Sequence, residues 1–317
     1  MSNLIGFLLT LILAACSPGV AISDGQITTF PPASDFLVMT DGEKLALHTW
    51  LPGTDPDAVV IALHGFNDYS RAFSIPAPYL AARGIAVYTY DQRGHGSSPQ
   101  RGRWPGLEVL AGDAREAIQL IGDRHQGLPV YILGESMGGA VAVIALTEGS
   151  APEVAGLILV APAVRGGRHI NRFYRAILYV GKHLTPALTL SGRWSGVTLS
   201  DNREAVDVIR SDPLVVQKSR FDTLNGIVDL MDEALEASSK LHHPILLLYG
   251  LNDEIVSKSA VCDFLALPAE KPVTVFYPKG YHLLLRDRQR DIVLRDITAW
   301  LMAPDAPLPS GLGYSCE

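Results

Sequence analysis

Continuous apolar runs alternate with amphipathic stretches along most of this chain. Runs rich in Val, Ile, Leu and Tyr predict buried strands, and stretches with apolar positions every three or four residues predict helices. The predicted strands are 36–40, 44–51, 58–63, 85–90, 130–133, 155–159, 244–250 and 273–277, and the predicted helices are 70–82, 107–124, 140–146, 257–266 and 286–301. Apolar strands separated by helices are typical of an α/β fold, a mostly parallel sheet with helices on both faces.

The strand signals stop between residues 164 and 241, where helical segments take over. A structureless loop of that length is rare in a compact domain, so we interpret this segment as a helical cap inserted over the strand ends. The core then comprises residues 35–163 and 242–302, followed by a Pro-rich tail, residues 303–317. The first two strands are joined through Asp41-Gly42, a hairpin turn signal that predicts an antiparallel edge.

One predicted strand-to-helix turn has the sequence Gly134-Glu135-Ser136-Met137-Gly138. A Ser at such a turn is held in a strained conformation with its Oγ above the sheet, and the chain bends this sharply only where the flanking residues are small. The amino-terminal N–H groups of the following helix favour negative charge at the same place. We therefore predict that Ser136 is a nucleophile.

A Ser hydroxyl needs an adjacent base, and that base needs an acid to orient it. Asp253 and His282 come shortly after the ends of the predicted strands 244–250 and 273–277, which completes the order Ser136, Asp253, His282. This is the chain order of the α/β-hydrolase triad. Glu254 is the alternative acid, but Asp253 lies nearer the strand end.

Attack on an ester carbonyl creates an oxyanion, which requires preorganised hydrogen-bond donors. The N–H of Met137, directly after the nucleophile, is one predicted donor. The second is the N–H of Phe66, in the loop after the strand that ends in His64-Gly65. Because His282 already supplies a base, His64 is predicted to be a structural hydrogen-bonding residue.

The composition, 48% apolar and 19% charged residues, is that of a globular protein. The net charge of −7 offers no broad basic field to neutralise phosphates, which argues against a nucleic-acid partner. No glycine-rich nucleotide motif opens a helix, and His242-His243 lacks partners at metal-ligand spacing. We therefore predict neither a cofactor nor a metal.

Near the amino terminus, a short apolar run over residues 4–13 precedes Leu13-Ala14-Ala15-Cys16. The run is too short to span a bilayer and fits the apolar region of a secretory signal. We predict that residues 1–15 form a signal peptide, that Cys16 is lipidated and that residues 16–34 are a tether. The protein would then be a membrane-anchored lipoprotein of a bacterial cell envelope, facing the periplasm or the exterior. The alternative is an ordinary signal peptide cut nearby.

With Cys16 lipidated, Cys262 and Cys316 remain as an even pair outside the cytoplasm. A disulfide between them would attach the carboxy-terminal tail to the predicted helix that holds Cys262. The alternative is two unrelated free thiols.

Six motifs together resemble the monoacylglycerol lipase and lysophospholipase branch of the α/β-hydrolases. They are His64-Gly65, the segment from Asp91 to Ser98, the segment from Gly134 to Gly139, Ser211-Asp212-Pro213-Leu214, Gly250-Leu251-Asn252-Asp253 and Gly280-Tyr281-His282. The resemblance covers residues 36–301 and departs from the family at Phe66 and Asn67. It implies an α/β-hydrolase that cleaves a single-chain, lipid-like acyl ester through an acyl-enzyme on Ser136. The same triad also serves acyl transfer and aminopeptidase-like cleavage, and a binding lipoprotein without catalysis is the non-enzyme alternative.

The cap is basic between residues 164 and 200, a stretch without Asp or Glu. Its cations are Arg165, Arg168, Arg172, Arg175, Lys182 and Arg193. The same stretch has an apolar face at helical spacing, which favours docking on anionic lipid or binding of a lysophospholipid phosphate. The alternative is a solvated face of an ordinary lid.

Overall fold

The strands of the core follow the predicted apolar runs. A computed structural model describes residues 35–150, 152–165, 169–191 and 196–317. In chain order, the core strands are β1 Asp35–Val38, β2 Lys44–Trp50, β3 Ala58–Leu63, β4 Ile85–Tyr90, β5 Val130–Glu135, β6 Gly156–Val160, β9 Ile245–Gly250 and β10 Val273–Tyr277. The core helices are α1 Pro76–Ala81, α2 Leu107–Arg124, α3 Met137–Thr147, α7 Lys258–Leu265 and α8 Arg290–Met302.

The core strands of the described residues form one eight-stranded sheet in the order β1-β2-β4-β3-β5-β6-β9-β10. From β4 to β10 every neighbouring pair is parallel, and β1 and β2 form the predicted antiparallel edge. All residues of β3, β4, β6 and β9 are buried, because helices cover both faces of a parallel sheet. The carboxyl ends of the parallel strands therefore meet at one edge, where ligands bind in sheets of this kind.

Two predicted helices differ from the structure. The helix predicted over 70–82 is divided into a short 3₁₀ helix, Ser70–Phe73, and α1. Pro76 explains the division, since proline lacks the N–H that would continue a helix and is favoured at a first helical position. The helix predicted from residue 286 begins only at Arg290, because Arg286 and Asp287 lie in turns whose N–H groups bond the carbonyl of Leu283.

Between β6 and β9 the chain leaves the sheet, over the segment predicted to be the cap. Its elements are α4 Arg172–Leu184, β7 Thr189–Ser191, α5 Arg203–Ser211, β8 Lys218–Arg220 and α6 Phe221–Ala237. The predicted helical cap is present as α4, α5 and α6, and β7 and β8 add a two-stranded antiparallel sheet to it. These strands have three residues each, too few for a hydrophobic alternation to be visible.

The tail crosses the edge of the sheet at β10. The N–H of Phe276 donates to the carbonyl of Gly313 at 3.0 Å, and the tail is attached to α7 by a disulfide between Cys262 and Cys316. The predicted pairing of the two cysteines is therefore present, with their Cα atoms 5.7 Å apart. A covered edge strand has fewer unpaired backbone groups for another chain to pair with. Of the helices described, none combines the length and apolar character that crossing a bilayer requires.

Candidate active site

Ser136 occupies the turn between β5 and α3. Its φ of 53° and ψ of −115° are strained for a residue with a side chain. A Cβ added at Gly138 would lie 2.0 Å from the carbonyl oxygen of Leu63, and one at Gly134 would lie 2.5 Å from Gly139. The two glycines thus allow the close approach of β3, β5 and α3 that presents the hydroxyl at the strand ends.

The three predicted triad side chains meet in one hydrogen-bonded relay. Nε2 of His282 lies 3.0 Å from Oγ of Ser136, and Nδ1 lies 2.8 Å from Oδ2 of Asp253. Because a carboxylate only accepts hydrogen bonds, Nδ1 carries the proton and Nε2 is left with a lone pair facing the hydroxyl. This is the arrangement in which an imidazole can take the proton of a Ser hydroxyl.

Asp253, and not the rival Glu254, orients the imidazole. Its side chain is fully buried, and Oδ1 accepts the N–H groups of Ile255 at 2.7 Å and Val256 at 2.9 Å. The side chain of Glu254 instead accepts the N–H of Thr198 in the cap segment. The backbone hydrogen bonds hold one carboxylate oxygen in place while the other faces His282.

The charges around His282 favour its protonated form. Burial, the largest single influence, lowers the pKa of His282, but the nearby carboxylates of Asp253 and Glu135 together outweigh it and raise the pKa above its usual value. Arg286 acts in the opposite direction and limits the increase. An imidazole in this site therefore accepts a proton readily during a reaction.

The segment predicted to donate to an oxyanion lies directly beside the nucleophile. A Cβ added at Gly65 would lie 3.4 Å from Cβ of Ser136, so Phe66 follows immediately after the contact. On the other side, Met137 is the first residue of α3, where backbone N–H groups have no acceptor within the helix. Met137 thus adjoins Ser136 in the chain, and Phe66 follows the glycine that packs against Ser136.

His64 has a structural role in this loop. Its Nδ1–H donates to the carbonyl of Gly65 at 2.9 Å, and its Nε2 accepts the N–H of Gln92 at 3.0 Å. Burial lowers the pKa of His64, which keeps the ring neutral and able to both donate and accept. The loop before Phe66 is thereby tied to the loop after β4.

The cap is attached to the same loop through Asp212. The Asp212 carboxylate accepts the hydroxyl of Tyr69 at 2.7 Å and pairs with Arg71. Next to it, the N–H of Val216 donates to the carbonyl of Asn67 at 2.9 Å. A shift of this part of the cap would therefore be transmitted to the segment that follows Phe66.

A buried ion cluster that was not predicted from the sequence lies beneath the relay. Arg286 pairs with Asp68 at 2.6 Å and with Glu135 at 2.9 Å. The available signal was an ionisable residue within one to four positions of each of Gly65, Ser136 and His282. The pattern alone did not show that these residues meet.

The predicted basic surface of the cap is less available than its composition suggests. Arg175 pairs with Asp232 at 2.5 Å and Lys182 lies 3.6 Å from Asp229, both acids on α6, while Arg165 donates to the carbonyl of His169. What α4 exposes instead is a set of large apolar side chains. They are Phe173, Tyr174, Ile177, Tyr179, Val180 and Leu184. Arg168, Arg193 and the predicted lipidation site Cys16 lie outside the described residues.

Among the described residues no group of three His, Cys, Asp or Glu side chains is placed to hold a metal ion. The side chains of the relay and of the ion cluster beneath it converge at the strand ends. This arrangement can move the proton of the Ser136 hydroxyl to His282 and stabilise the imidazolium that results.

Comparison with known families gives one match over most of the chain. The family model Hydrolase_4, described as serine aminopeptidase, S33, matches residues 54–289. Ser136, Asp253 and His282 all fall within the matched region. So do Phe66 and the whole segment between β6 and β9.

Two curated relatives align with most of the chain. A monoglyceride lipase from Homo sapiens is 28% identical over 272 residues, covering 84% of this chain and 89% of that protein. A monoacylglycerol lipase from Mycolicibacterium smegmatis is 26% identical over 265 residues, covering 83% of this chain and 94% of that protein.

Solved structures share the fold. A monoglyceride lipase from Saccharomyces cerevisiae, solved with a substrate analog, superposes with a TM-score of 0.75 at 19% identity and covers 88% of this chain and 97% of that one. A monoacylglycerol lipase from Paleococcus ferrophilus has a TM-score of 0.69 at 24% identity, covering 82% and 98%. The predicted α/β-hydrolase fold, a mostly parallel sheet with helices on both faces and an insertion over the strand ends, is confirmed.

Proposed function

This chain belongs to the Hydrolase_4 family, described as serine aminopeptidase, S33, and from that premise we propose that it hydrolyses carboxylic esters of single-chain lipids. The substrates are monoacylglycerols or lysophospholipids, and the reaction passes through an acyl-enzyme on Ser136. The observation that carries the proposal is the relay of Ser136, His282 and Asp253, joined by hydrogen bonds of 3.0 and 2.8 Å.

In the first half of the reaction, Oγ of Ser136 attacks the ester carbonyl while its proton passes to Nε2 of His282. Asp253 stabilises the imidazolium through Nδ1. The N–H groups of Phe66 and Met137 donate to the carbonyl oxygen as it becomes negative. When the tetrahedral intermediate collapses, the ester C–O bond breaks and His282 gives its proton to the departing alcohol.

In the second half, a water molecule replaces the alcohol. Nε2 of His282 takes a proton from this water as its oxygen attacks the acyl carbonyl, and the same two N–H groups again hold the oxyanion. Collapse breaks the bond between the acyl carbon and Oγ of Ser136, and the proton on His282 returns to Oγ. The products are a fatty acid and the free enzyme.

The substrate class rests on the relatives and on the cap. Curated relatives named monoacylglycerol or monoglyceride lipase align over more than four fifths of this chain. The apolar side chains exposed on α4 suit a substrate that resides in a lipid aggregate. Ester hydrolysis is therefore favoured over aminopeptidase cleavage, although the family name mentions the latter.

The test is a substrate panel with the purified mature protein. We expect release of fatty acid from monoacylglycerols or lysophospholipids, weaker turnover of short p-nitrophenyl esters and none of aminoacyl amides. A fluorophosphonate should label the wild type, and Ser136→Ala should abolish both labelling and turnover. Turnover of aminoacyl amides alone, or of no substrate, would overturn the proposal.

We also propose that α4 contacts the lipid aggregate that contains the substrate. Phe173, Ile177, Val180 and Leu184 follow a spacing of three or four residues, so they share one helix face, and the two outer side chains are each 75% exposed. Since Arg175 and Lys182 are paired with acids of α6, this contact depends on apolar burial more than on charge.

The predicted anchor is a separate proposal: lipidated Cys16 holds the enzyme at the bacterial cell envelope. It is supported by the apolar run and small residues before Cys16. Metabolic labelling with an alkyne fatty acid in a bacterial host should mark the wild type and not Cys16→Ser. Equal labelling of both, or labelling of neither, would contradict lipidation at this position.

A further inference from the structure

The guanidinium of Arg286 is buried beneath the relay, with its side chain 8% exposed. Nη1 lies 2.6 Å from Oδ2 of Asp68, and Nη2 lies 2.9 Å from Oε2 of Glu135. Both carboxylates are themselves withdrawn from solvent. Burying three charges is costly unless they are closely paired, so loss of any one of them would leave a charge buried without its partner.

Each member of the cluster belongs to a different catalytic loop. Glu135 directly precedes Ser136 at the end of β5, and Arg286 follows His282 by four residues. Asp68 closes the loop that begins at Gly65: its N–H donates to the Gly65 carbonyl at 3.2 Å. One guanidinium thus connects the segments that carry the nucleophile, the base and an oxyanion donor.

We propose that Arg286 is a positioning residue that holds these three loops in register, and that Glu135 acts beside Asp253 as a second carboxylate that stabilises the His282 imidazolium. This inference rests on the proposed function, because it assigns roles within the same reaction. The first role concerns geometry and predicts a loss of kcat. The second concerns charge and predicts a change in pH dependence.

The charge balance of the cluster supports the second role. Two carboxylates face one guanidinium, which leaves one net negative charge near His282. The charged groups that act on His282 are Asp253 after β9, Glu135 on β5 and Arg286 on its own loop; the two carboxylates raise its pKa and the guanidinium lowers it. Oε1 of Glu135 is buried and has no hydrogen-bond partner among the described residues, so this oxygen is not committed to another group.

Arg286 also favours the charged form of Glu135. Burial, the largest influence, raises the pKa of Glu135, and the positive charge of Arg286 opposes that increase. Without the guanidinium, Glu135 would tend to bind a proton and lose its influence on His282. The two proposed roles are therefore linked through one ion pair.

A second arginine cluster provides a matched control. Arg93, in the loop after β4, makes two hydrogen bonds to Asp113, of 2.7 and 2.9 Å, and pairs with Asp41 at 2.6 Å. Its side chain is also largely buried. It stabilises the scaffold with similar chemistry, but it does not act on His282.

The test compares Arg286→Met, Arg286→Lys, Glu135→Gln and the control Arg93→Lys. For each variant, kcat and KM on a soluble p-nitrophenyl ester are measured across pH, together with the melting temperature. We expect Arg286→Met to lower kcat about 100-fold with little change in KM, since a loop displaced by about 1 Å can cost that much. Arg286→Lys should recover part of the loss, because it keeps the charge but reaches only one carboxylate.

Glu135→Gln keeps the size and the hydrogen bond to Arg286 but removes the charge. It should move the acidic limb of kcat/KM to lower pH by about half a unit or more. Arg93→Lys should lower the melting temperature but change neither kcat nor the pH of the acidic limb of kcat/KM.

If the acidic limb of kcat/KM lies at the same pH in Glu135→Gln as in the wild type, Glu135 does not stabilise the His282 imidazolium. The positioning role is overturned if Arg286→Met has a lower melting temperature but an unchanged kcat, which is the result expected for Arg93→Lys. If Arg286→Met does not fold, the same comparison is made with Arg286→Lys. A wild type that turns over no ester contradicts the proposed function instead. In that case, the rate at which a fluorophosphonate labels Ser136 across pH tests the same two roles.

Discussion

At the strand ends of the sheet, charged side chains are buried and paired, whereas on helix α4 of the cap large apolar side chains face solvent. Asp253, His282 and Arg286 each have their partners within 3.0 Å and almost no exposure. Phe173 and Leu184 are three quarters exposed. Neither arrangement is favourable in isolation, since burying charge and exposing apolar surface both cost free energy.

This difference indicates that the strand ends perform the reaction and that α4 binds the lipid aggregate. Preorganised polar groups in a dry site stabilise a transition state whatever the substrate is, so their loss should affect every ester. An exposed apolar face becomes favourable only when it meets a lipid aggregate, so its loss should affect only aggregated substrates.

The largest effect is expected at the acid of the relay. Asp253→Asn should lower kcat about 10³- to 10⁴-fold on soluble and aggregated esters alike, because the amide no longer stabilises the imidazolium or selects its tautomer. Glu254→Gln is the matched control, since its carboxylate bonds only the backbone of Thr198 among the described residues. Comparable losses in both variants, measured by steady-state kinetics, would contradict the assignment of Asp253.

The next effect concerns folding of the nucleophile turn. Gly138→Ala would place a Cβ 2.0 Å from the carbonyl oxygen of Leu63, and backbone atoms cannot move aside as a flexible side chain does. We expect a loss of about 3 kcal/mol in the free energy of unfolding, measured by urea denaturation. Gly53→Ala is the control, because nothing lies within 4 Å of its added Cβ. Equal midpoints for the two variants would show that the turn is less crowded than described.

The third effect is a pH dependence with opposite signs for activity and stability. Because the pKa of His282 is raised, kcat/KM should rise with pH and level off only above the usual histidine value of about 6.5. A raised pKa means that charged His282 stabilises the fold; this contribution is fully present below the unfolded pKa and is lost as the pH rises through the folded pKa.

The measurement compares two curves. The kcat/KM profile gives the acidic limb, and the difference in unfolding free energy between the wild type and His282→Gln should shrink as the pH rises over the same range. An acidic limb below about 6, or a difference that grows with pH, would contradict the raised pKa.

The core was largely predictable from the sequence, and specific residues show why. The strands β3, β4, β6 and β9 are continuous apolar runs, which is the pattern of a sheet covered on both faces. Ser136, Asp253 and His282 each follow a strand, so the topology alone predicts that they meet at one edge. The relay could therefore be predicted from the residue types at the strand ends and their order in the chain.

The remaining features depend on contacts between distant residues. Arg286 is 218 residues from Asp68 and 151 from Glu135, and no local pattern encodes such a pairing. The neutralisation of Arg175 by Asp232 joins two different helices in the same way. The break before Pro76 was visible in the sequence and was missed, because the apolar pattern continues across it.

The smallest effect is expected from substitutions on the cap, which test the role of the exposed apolar side chains of α4. Phe173→Ser combined with Leu184→Ser should lower activity on micellar or vesicle-bound monoacylglycerol about three- to tenfold, because less apolar surface is available to bind the aggregate. Activity on a soluble short ester should stay at the wild-type level. Leu51→Ser is the matched control, since Leu51 is 58% exposed but lies on the core after β2.

Varying the lipid separates an apolar contact from a basic one. If α4 binds through its apolar face, with Arg175 and Lys182 already paired, vesicle binding should change little when anionic lipid replaces neutral lipid or when salt is added. Binding that rises steeply with anionic lipid, and falls in Arg172→Glu, would support the basic-surface interpretation instead. If the Phe173 and Leu184 double variant loses activity equally on soluble and aggregated esters, α4 contributes to catalysis itself. The proposed division of roles between the strand ends and α4 would then be wrong.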